Sequence, residues 1–490
     1  MTMRKRLIQG IGANFLGQII NLASRVLLVP LFLTAWGVGV YGEWLLLSSI
    51  VAYLSLTDLG GQLYIVNRLT QAYAQGDTAR FRQTLHTGLG LFLFLPLAVF
   101  IGFLGVIYLF PPGSLLQITI TSPRVVFLVL AILAFQFVFS LPQGILLGVY
   151  RAVGLLPRGV MLTNTMQVVT IILVALGLWL GAGLVAIACL QLLPYLGVAL
   201  VAGRDLNRRF PQFQVLSLRE ADLTCGLTFI RPSLHFFNIQ LAQAFSIQGT
   251  VLVVGMVLGS VQVVVFSTMR TIINLIRSFF EQISHAAWPE LTRLDSQQEE
   301  EKFFLLFRAI FRSTLIAAVI FMAGFHFWGE GLYNFWLRKT VIYQQRVMDL
   351  FLIYMGQFMI WLTCSHPLMA TNRHRALSKM MLVSSLLSIG LAYLGGRRLG
   401  LPGVILGMIT GDLLLPCWFV PYLLSRYQPR FSGWFFVKEI GPVLLSLAVL
   451  ISLPWSAPVV IGGLIWWWTG CLTGLGLSWE GWLPFGGRRL

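Results

Sequence analysis

Charge is scarce in this chain, and acidic charge scarcer still. Only 10% of its 490 residues are charged, and 17 acids stand against 34 bases. A typical soluble domain keeps roughly a quarter of its residues charged, so a mostly water-exposed globular surface is excluded. Cysteine is equally thin. Cys189, Cys225, Cys364, Cys417 and Cys471 lie far apart, with no CxxC and no Cys/His ligand spacing, and they read as small core residues. No GxxxxGK[ST] phosphate loop occurs, which argues against ATP hydrolysis by the chain itself. Long polar stretches are missing too, leaving no room for a soluble catalytic or nucleic-acid-binding domain.

What fills the chain is apolar: 57% hydrophobic residues and a mean hydropathy of +0.82. That composition describes an all-α polytopic membrane protein. A hydrocarbon core of ~30 Å needs about 20 apolar residues per helix, and such runs recur along the whole sequence. They predict spans over 11–35, 41–66, 86–110, 125–150, 159–180, 183–203, 227–257, 261–286, 304–328, 347–371, 377–396, 402–425, 439–453 and 457–477, about 14 in all. The thirteenth is the shortest. Many further spans follow the first, so it reads as a retained helix, not a cleaved signal peptide.

Basic residues set the orientation, because short cytoplasmic loops retain Lys and Arg. With the N-terminus inside, inward segments hold clusters such as Arg4, Lys5 and Arg6, or Arg204, Arg208, Arg209 and Arg219. They also include Arg308 and Arg312. Outward segments hold only Arg124, Arg338, Lys339, Arg346, Arg397 and Arg398. Both termini are therefore expected in the cytoplasm, in a cytoplasmic (inner) membrane. Attraction to anionic headgroups accounts for most of the +17 formal charge.

It does not account for arginines inside the spans. In GANFLGQIINLASRVLLVPLFL, Asn14, Gln18, Asn21 and Arg25 step by 4, 3 and 4 and share one narrow helical face. The eighth span repeats the device with Arg270, Asn274, Arg277, Glu281 and His285. The seventh adds Arg231, His235 and Asn238. A charge at a helix centre costs ~2.5–3.5 kcal/mol on the lenient insertion scale, so four unmatched arginines would cost on the order of 10 kcal/mol. They must meet partners or water. Arg277 and Glu281 can also form a simple i,i+4 pair that locks a bundle. At ~1.5 Å per residue, Arg25 lies about 20 Å from the inner end of its helix, and Arg270 about 14 Å from the outer end of its own. Such a graded cationic path suits an anionic head group crossing the bilayer.

Comparing the halves at an offset of 222 residues aligns Gly37 with Gly259, Gln18 with Gln240 and Asn21 with Gln243. Six spans per half is an even number, so a duplication would relate the halves by an axis along the membrane normal, with substrate between them. The expected domains are an N-terminal lobe over 1–210, a C-terminal lobe over 211–426, and a last helix pair with a cytoplasmic tail over 427–490.

The segment NFLGQIINLASRVLLVPLFLTAWGVGVYGEWLLLSSIVAYLSLTDLGG, with Pro30, Trp36–Gly37, Tyr41–Trp44 and LTDLG around Asp58, resembles the polysaccharide transporters that flip lipid-linked O-antigen or exopolysaccharide repeat units. Lipid II flippases and multidrug extruders belong to the same superfamily. The resemblance implies two six-helix lobes in pseudo-two-fold arrangement around a central cationic cavity that opens alternately to each side. It implies a polyprenyl-pyrophosphate-linked oligosaccharide as cargo, moved outward. Arg25, Arg270, Arg277 and Arg231 are the candidates to pair the pyrophosphate, and Asn14, Gln18, Asn21 and Asn274 to meet sugar hydroxyls. It further implies a non-enzymatic monomer in the cell envelope, working with membrane lipids, a polysaccharide polymerase and a chain-length regulator. Fourteen helices match the lipid II flippase subgroup better than the twelve-helix sugar flippases.

Cofactors and nucleic acid have no place in this reading, but an ion gradient does. Asp412, Asp58, Glu281 and His235 are the candidate proton or sodium sites. For Asp58 a helix-terminal role competes with coupling, and for Asp412 a pairing with an arginine from another helix does. Other readings are a multidrug extruder, for which several unpaired arginines suit cationic cargo poorly, and a scaffold, which would have no need of them. A membrane-embedded polymerase or glycosyltransferase would need catalytic acids on an outer loop. The largest such loop, GEGLYNFWLRKTVIYQQR, has no paired carboxylates.

Overall fold

The structure is a computed structural model, and it describes residues 3–215, 217–222, 237–238, 240–371, 375–428 and 430–441. Those residues are overwhelmingly helical, with no strand among them. In chain order the helices are α1 (Met3–Ala52), α2 (Gly61–Ala74), α3 (Thr78–Leu109), the short α4 (Pro112–Leu115), α5 (Pro123–Ala152), α6 (Leu156–Trp179) and α7 (Leu184–Arg209). Then come α8 (Gln240–Leu258), α9 (Ser260–Ser296), α10 (Glu300–Leu337), α11 (Gln345–Ala370), α12 (Arg375–Leu414) and α13 (Pro416–Tyr427). Residues 433–441 begin another helix. The spans expected over 439–453 and 457–477 lie, but for their first residues, outside the described residues.

Nine stretches among the described residues are long and apolar enough to cross a membrane. Two of them, Gly12–Asp58 and Ala376–Tyr427, each hold two of the expected spans. The eighth expected span, inside α9, is not among the nine, because Arg270, Arg277 and Glu281 dilute its apolarity.

The reversal inside α1 has a local cause. A straight helix of 50 residues would run about 75 Å, far beyond the hydrocarbon thickness. Gly37 breaks it with φ 72° and ψ 174°. Phe32 then stacks on Tyr41 at 5.2 Å and on Trp44 at 6.2 Å, a contact that a continuous helix forbids across twelve residues. Gly259, between α8 and α9, adopts nearly the same conformation, φ 82° and ψ 175°. The two positions matched by the 222-residue offset are thus the same kind of joint. Only glycine occupies this region of φ/ψ without strain. Gly37→Ala is expected to cost about 1–3 kcal/mol, read as a lowered unfolding midpoint in detergent, whereas Gly102→Ala, on an open face of α3, is expected to leave it in place.

One expected helix is divided. The span over 41–66 stops at Ala52, passes through a 3-10 turn at Tyr53–Asp58, and restarts as α2 at Gly61. Leu59 and Gly60 both take left-handed φ, 49° and 75°. Asp58 Oδ1 accepts the Gln62 N–H at 3.1 Å, which satisfies a donor in the first turn of the new helix.

The described residues fall into two compact units. One comprises those within Met1–Leu275, Leu332–Phe351 and Arg373–Pro416; the other comprises those within Ile276–Gly331, Leu352–Asn372 and from Cys417 onward. In the first, Phe81, Phe92, Tyr150 and Phe213 centre a core built by α2, α3, α5 and α7. Helix α1 lies along α6, where Asn164 Nδ2 donates to the Ala13 carbonyl at 2.8 Å and Gly17 leaves room for the Asn164 amide. The two halves of α12 meet across a seam of small residues: Gly395 on Gly403, Gly407 on Ala392, Gly411 on Ser388. A Cβ added at any of these glycines would collide with backbone or with the Ser388 hydroxyl. In the second unit, Phe303, Phe307, Phe311 and Phe431 are fully buried against one another's rings.

Candidate functional site

Because α1 is helical from Met3 to its break at Gly37, the 4-3-4 spacing keeps Asn14, Gln18, Asn21 and Arg25 on one face. All four are exposed, while Ala13 and Gly17 on another face pack on α6. Arg25 makes no hydrogen bond or ion pair with any described residue.

Arg270 is held differently. One Nη1 donates to the Ile247 carbonyl at 2.9 Å and to Thr250 Oγ1 at 2.8 Å, and the guanidinium carbon sits 5.0 Å from the Phe266 ring centroid. The acceptors belong to α8, whose backbone makes a π turn over Phe245–Gly249. Such a turn carries one extra residue and disturbs the i to i−4 ladder, leaving carbonyls open to other donors. Buried Thr250 completes the relay by donating to the Ser246 carbonyl at 3.0 Å. Two neutral oxygens of α8 thus help to orient a cation in the membrane-spanning part of the fold. Asn274, one turn further along α9, is half-buried.

Arg277 pairs with Glu281, Nε to Oε1 at 2.8 Å, and lies 4.3 Å from the Phe358 ring centroid. The i,i+4 lock open from sequence is therefore formed in the second unit. Of the ion-coupling candidates, Asp412 is buried at 7% exposure, with Ser384 Oγ 3.5 Å away on the facing half of α12. Asp58 serves the first turn of α2 and takes a bond from the Gln240 side chain. Arg231 and His235 lie outside the described residues. Among the described residues, no three His, Cys, Asp or Glu side chains gather closely enough to hold a metal ion.

Sequence reasoning missed two carboxylates with structural duties. Glu43, in the second expected span, is fully buried. It accepts three successive backbone N–H groups, from Thr119 and Ile120 at 2.8 Å and from Thr121 at 2.9 Å. Glu439 is buried and receives Arg308 at 3.0 Å and both Nε and Nη2 of Arg312. Arg312 is only 8% exposed, so it does not face headgroups as its place among the inward basic residues suggested. No local spacing signals either arrangement, since the partners lie 76–78 and 127–131 residues apart.

The architecture is that of the multidrug and lipid II transporters. An inward-facing MATE-family multidrug transporter of the MOP superfamily superposes with a TM-score of 0.69 over 85% of this chain and 95% of its own, at 16% identity. The lipid II flippase MurJ, in an inward closed conformation, gives 0.64 over 94% of this chain and 96% of its own, at 15% identity. A MOP-superfamily transporter from Pyrococcus furiosus, whose reverse binding-pocket polarity suggests a different function for it, gives 0.55 at 15% identity, over 87% of this chain and 94% of its own. No family model matches the chain, and no curated protein sequence matches it.

Proposed function

We propose that this protein flips a polyprenyl-pyrophosphate-linked oligosaccharide, an O-antigen or exopolysaccharide repeat unit, across the cytoplasmic membrane by alternating access. The observation that carries this reading is the treatment of intramembrane positive charge. Arg25 meets no carboxylate among the described residues, and the described contacts of Arg270 include a carbonyl and a hydroxyl that hold the guanidinium in place. Positive charge at Arg25 favours an anionic passenger and repels a cationic one, and guanidinium groups match phosphate oxygens in a forked geometry. Arg277, tied to Glu281, contributes less. Pocket polarity bears on function within this fold, as the Pyrococcus transporter illustrates. Asn14, Gln18, Asn21 and Asn274 supply hydroxyl partners for the sugar, the lipid tail stays in the bilayer, and Asp412 is the favoured coupling group. In this role the chain acts with a polymerase and a chain-length regulator. The MurJ-like alternative, a lipid II flippase, is favoured by the 94% coverage of this chain and rests on the same charge logic.

Deleting the protein and locating the stalled intermediate tests the proposal. Single lipid-linked repeat units are expected to collect on the inner leaflet. Their collection on the outer leaflet would indicate a missing polymerase, and accumulation of lipid II would select the alternative.

A further inference from the structure

Two carbonyls in the helices that lead to the Gly37/Gly259 end of the first unit, one eleven residues before Gly37 and one three before Gly259, are left without helical partners, each for a local reason. Pro30 has no N–H, so the Val26 carbonyl four residues earlier lacks its donor. Gly259 stops α8, so the Met256 carbonyl in the last turn lacks its own. Both are filled from elsewhere in the chain. Trp336 Nε1 donates to Val26 at 2.7 Å, and Gln117 Nε2 donates to Met256 at 2.8 Å.

The two bonds are reciprocal. Gln117 lies in the connection between α4 and α5, in the first half of the sequence, and reaches α8 in the second. Trp336 lies at the end of α10, in the second half, and reaches α1 in the first. Their settings match at the 222-residue offset: Gln117 has a left-handed φ of 52°, and Lys339, at the equivalent position three residues past Trp336, has 61°. Each donor segment is also pinned in place. Glu43 gathers the N–H groups of 119–121, and the Ile120 side chain fills the space a Cβ on Gly39 would need. Tyr333, one turn before Trp336, shares a 2.8 Å hydrogen bond with Thr268. Gly42 also brings the α1 backbone against the Ser260 carbonyl, and Leu46 occupies the space beside Gly255.

We propose that these reciprocal straps, Gln117 to Met256 and Trp336 to Val26, form the gate that holds this end of the protein shut, and that they part when it opens. The inference rests on the transporter reading and on this end facing outward, as the loop arginines indicate. It does not depend on which passenger is carried.

The test uses the full chain, freed of its five cysteines and carrying Ser260→Cys, at a position 8% exposed and packed against Gly42. A membrane-impermeant maleimide is applied to intact cells. Each net hydrogen bond contributes on the order of a five- to tenfold bias. Gln117→Ala and Trp336→Phe are each expected to speed labelling by about that factor, with Ile342→Cys, 79% exposed in the neighbouring α10–α11 connection, labelled rapidly in every background. Unchanged labelling of Ser260→Cys in both variants would overturn the gate, and so would a control cysteine inaccessible from outside. Gln117 is exposed, so its variant decides the matter even where Trp336→Phe impairs folding. Faster labelling together with normal glycan export after gene deletion would remove the proposed passenger and leave the gate standing.

Discussion

Arg270→Glu is expected to stop export of the surface glycan while the protein still inserts and accumulates. The native guanidinium is drawn to the Ile247 carbonyl and the Thr250 hydroxyl, and a carboxylate in its place would face an oxygen it repels. It would also repel the pyrophosphate that the arginine is proposed to pair. Losing one partner of a charge-assisted contact costs about 2–5 kcal/mol, so the transport rate should fall by on the order of a hundredfold or more. Arg270→Lys keeps the charge and loses the fork, and should retain roughly a tenth of the rate. Arg25→Glu is the cleaner companion, because Arg25 is exposed and bonded to no described residue, leaving folding little to lose. Export measured as surface polysaccharide per cell, corrected for protein in the membrane, decides the case. Normal export with glutamate at both positions would end the charge-pairing mechanism.

The second large effect concerns stability. Glu439→Ala leaves Arg312 buried with its carboxylate gone, after a native state in which both Nε and Nη2 are bound. Breaking a buried pair from one side costs about 3–5 kcal/mol, a large share of the roughly 5–15 kcal/mol that holds a typical domain together. Yield and unfolding midpoint in detergent should both drop. The double variant Glu439→Leu with Arg312→Met removes the buried pair, leaves only the part-exposed Arg308 without its carboxylate, and should recover most of the loss, since the penalty lies in the buried orphaned cation. Equal instability of single and double variants would assign the effect to packing among Phe303, Phe307, Phe311 and Phe431.

Periodicity made the α1 stripe readable, because a helix converts steps of 4, 3 and 4 into one face without help from the rest of the molecule. The equivalence of Gly37 and Gly259 was readable for a related reason: a backbone conformation open only to glycine leaves a fixed residue type at each copy of the joint. Arg277 and Glu281 carried both of their readings in their spacing, and the pair formed. What escaped was non-local. Nothing near Glu43 announces three backbone donors from the far side of α3, and nothing near Arg312 points to Glu439. The π turn escaped as well, since FSIQGTVLVVG reads as ordinary apolar helix; the donation from Arg270 to its Ile247 carbonyl becomes visible only when α8 and α9 lie side by side. The 41–66 span was drawn through LTDLGG on hydropathy alone, although the two glycines and the capping aspartate were there to end it.

The glycine seam within α12 has a mechanical consequence. Two rods whose backbones touch at glycines, with only small side chains such as Ser388 at the seam to act as bearings, cannot slide or splay without tearing the seam open. They must travel as a single plank, carrying Asp412 and Ser384 along at fixed separation. Flexing in this part of the molecule is then left to joints such as the π turn, and a methyl group added at Gly403 or Gly407 would wedge the plank apart before it altered any charge.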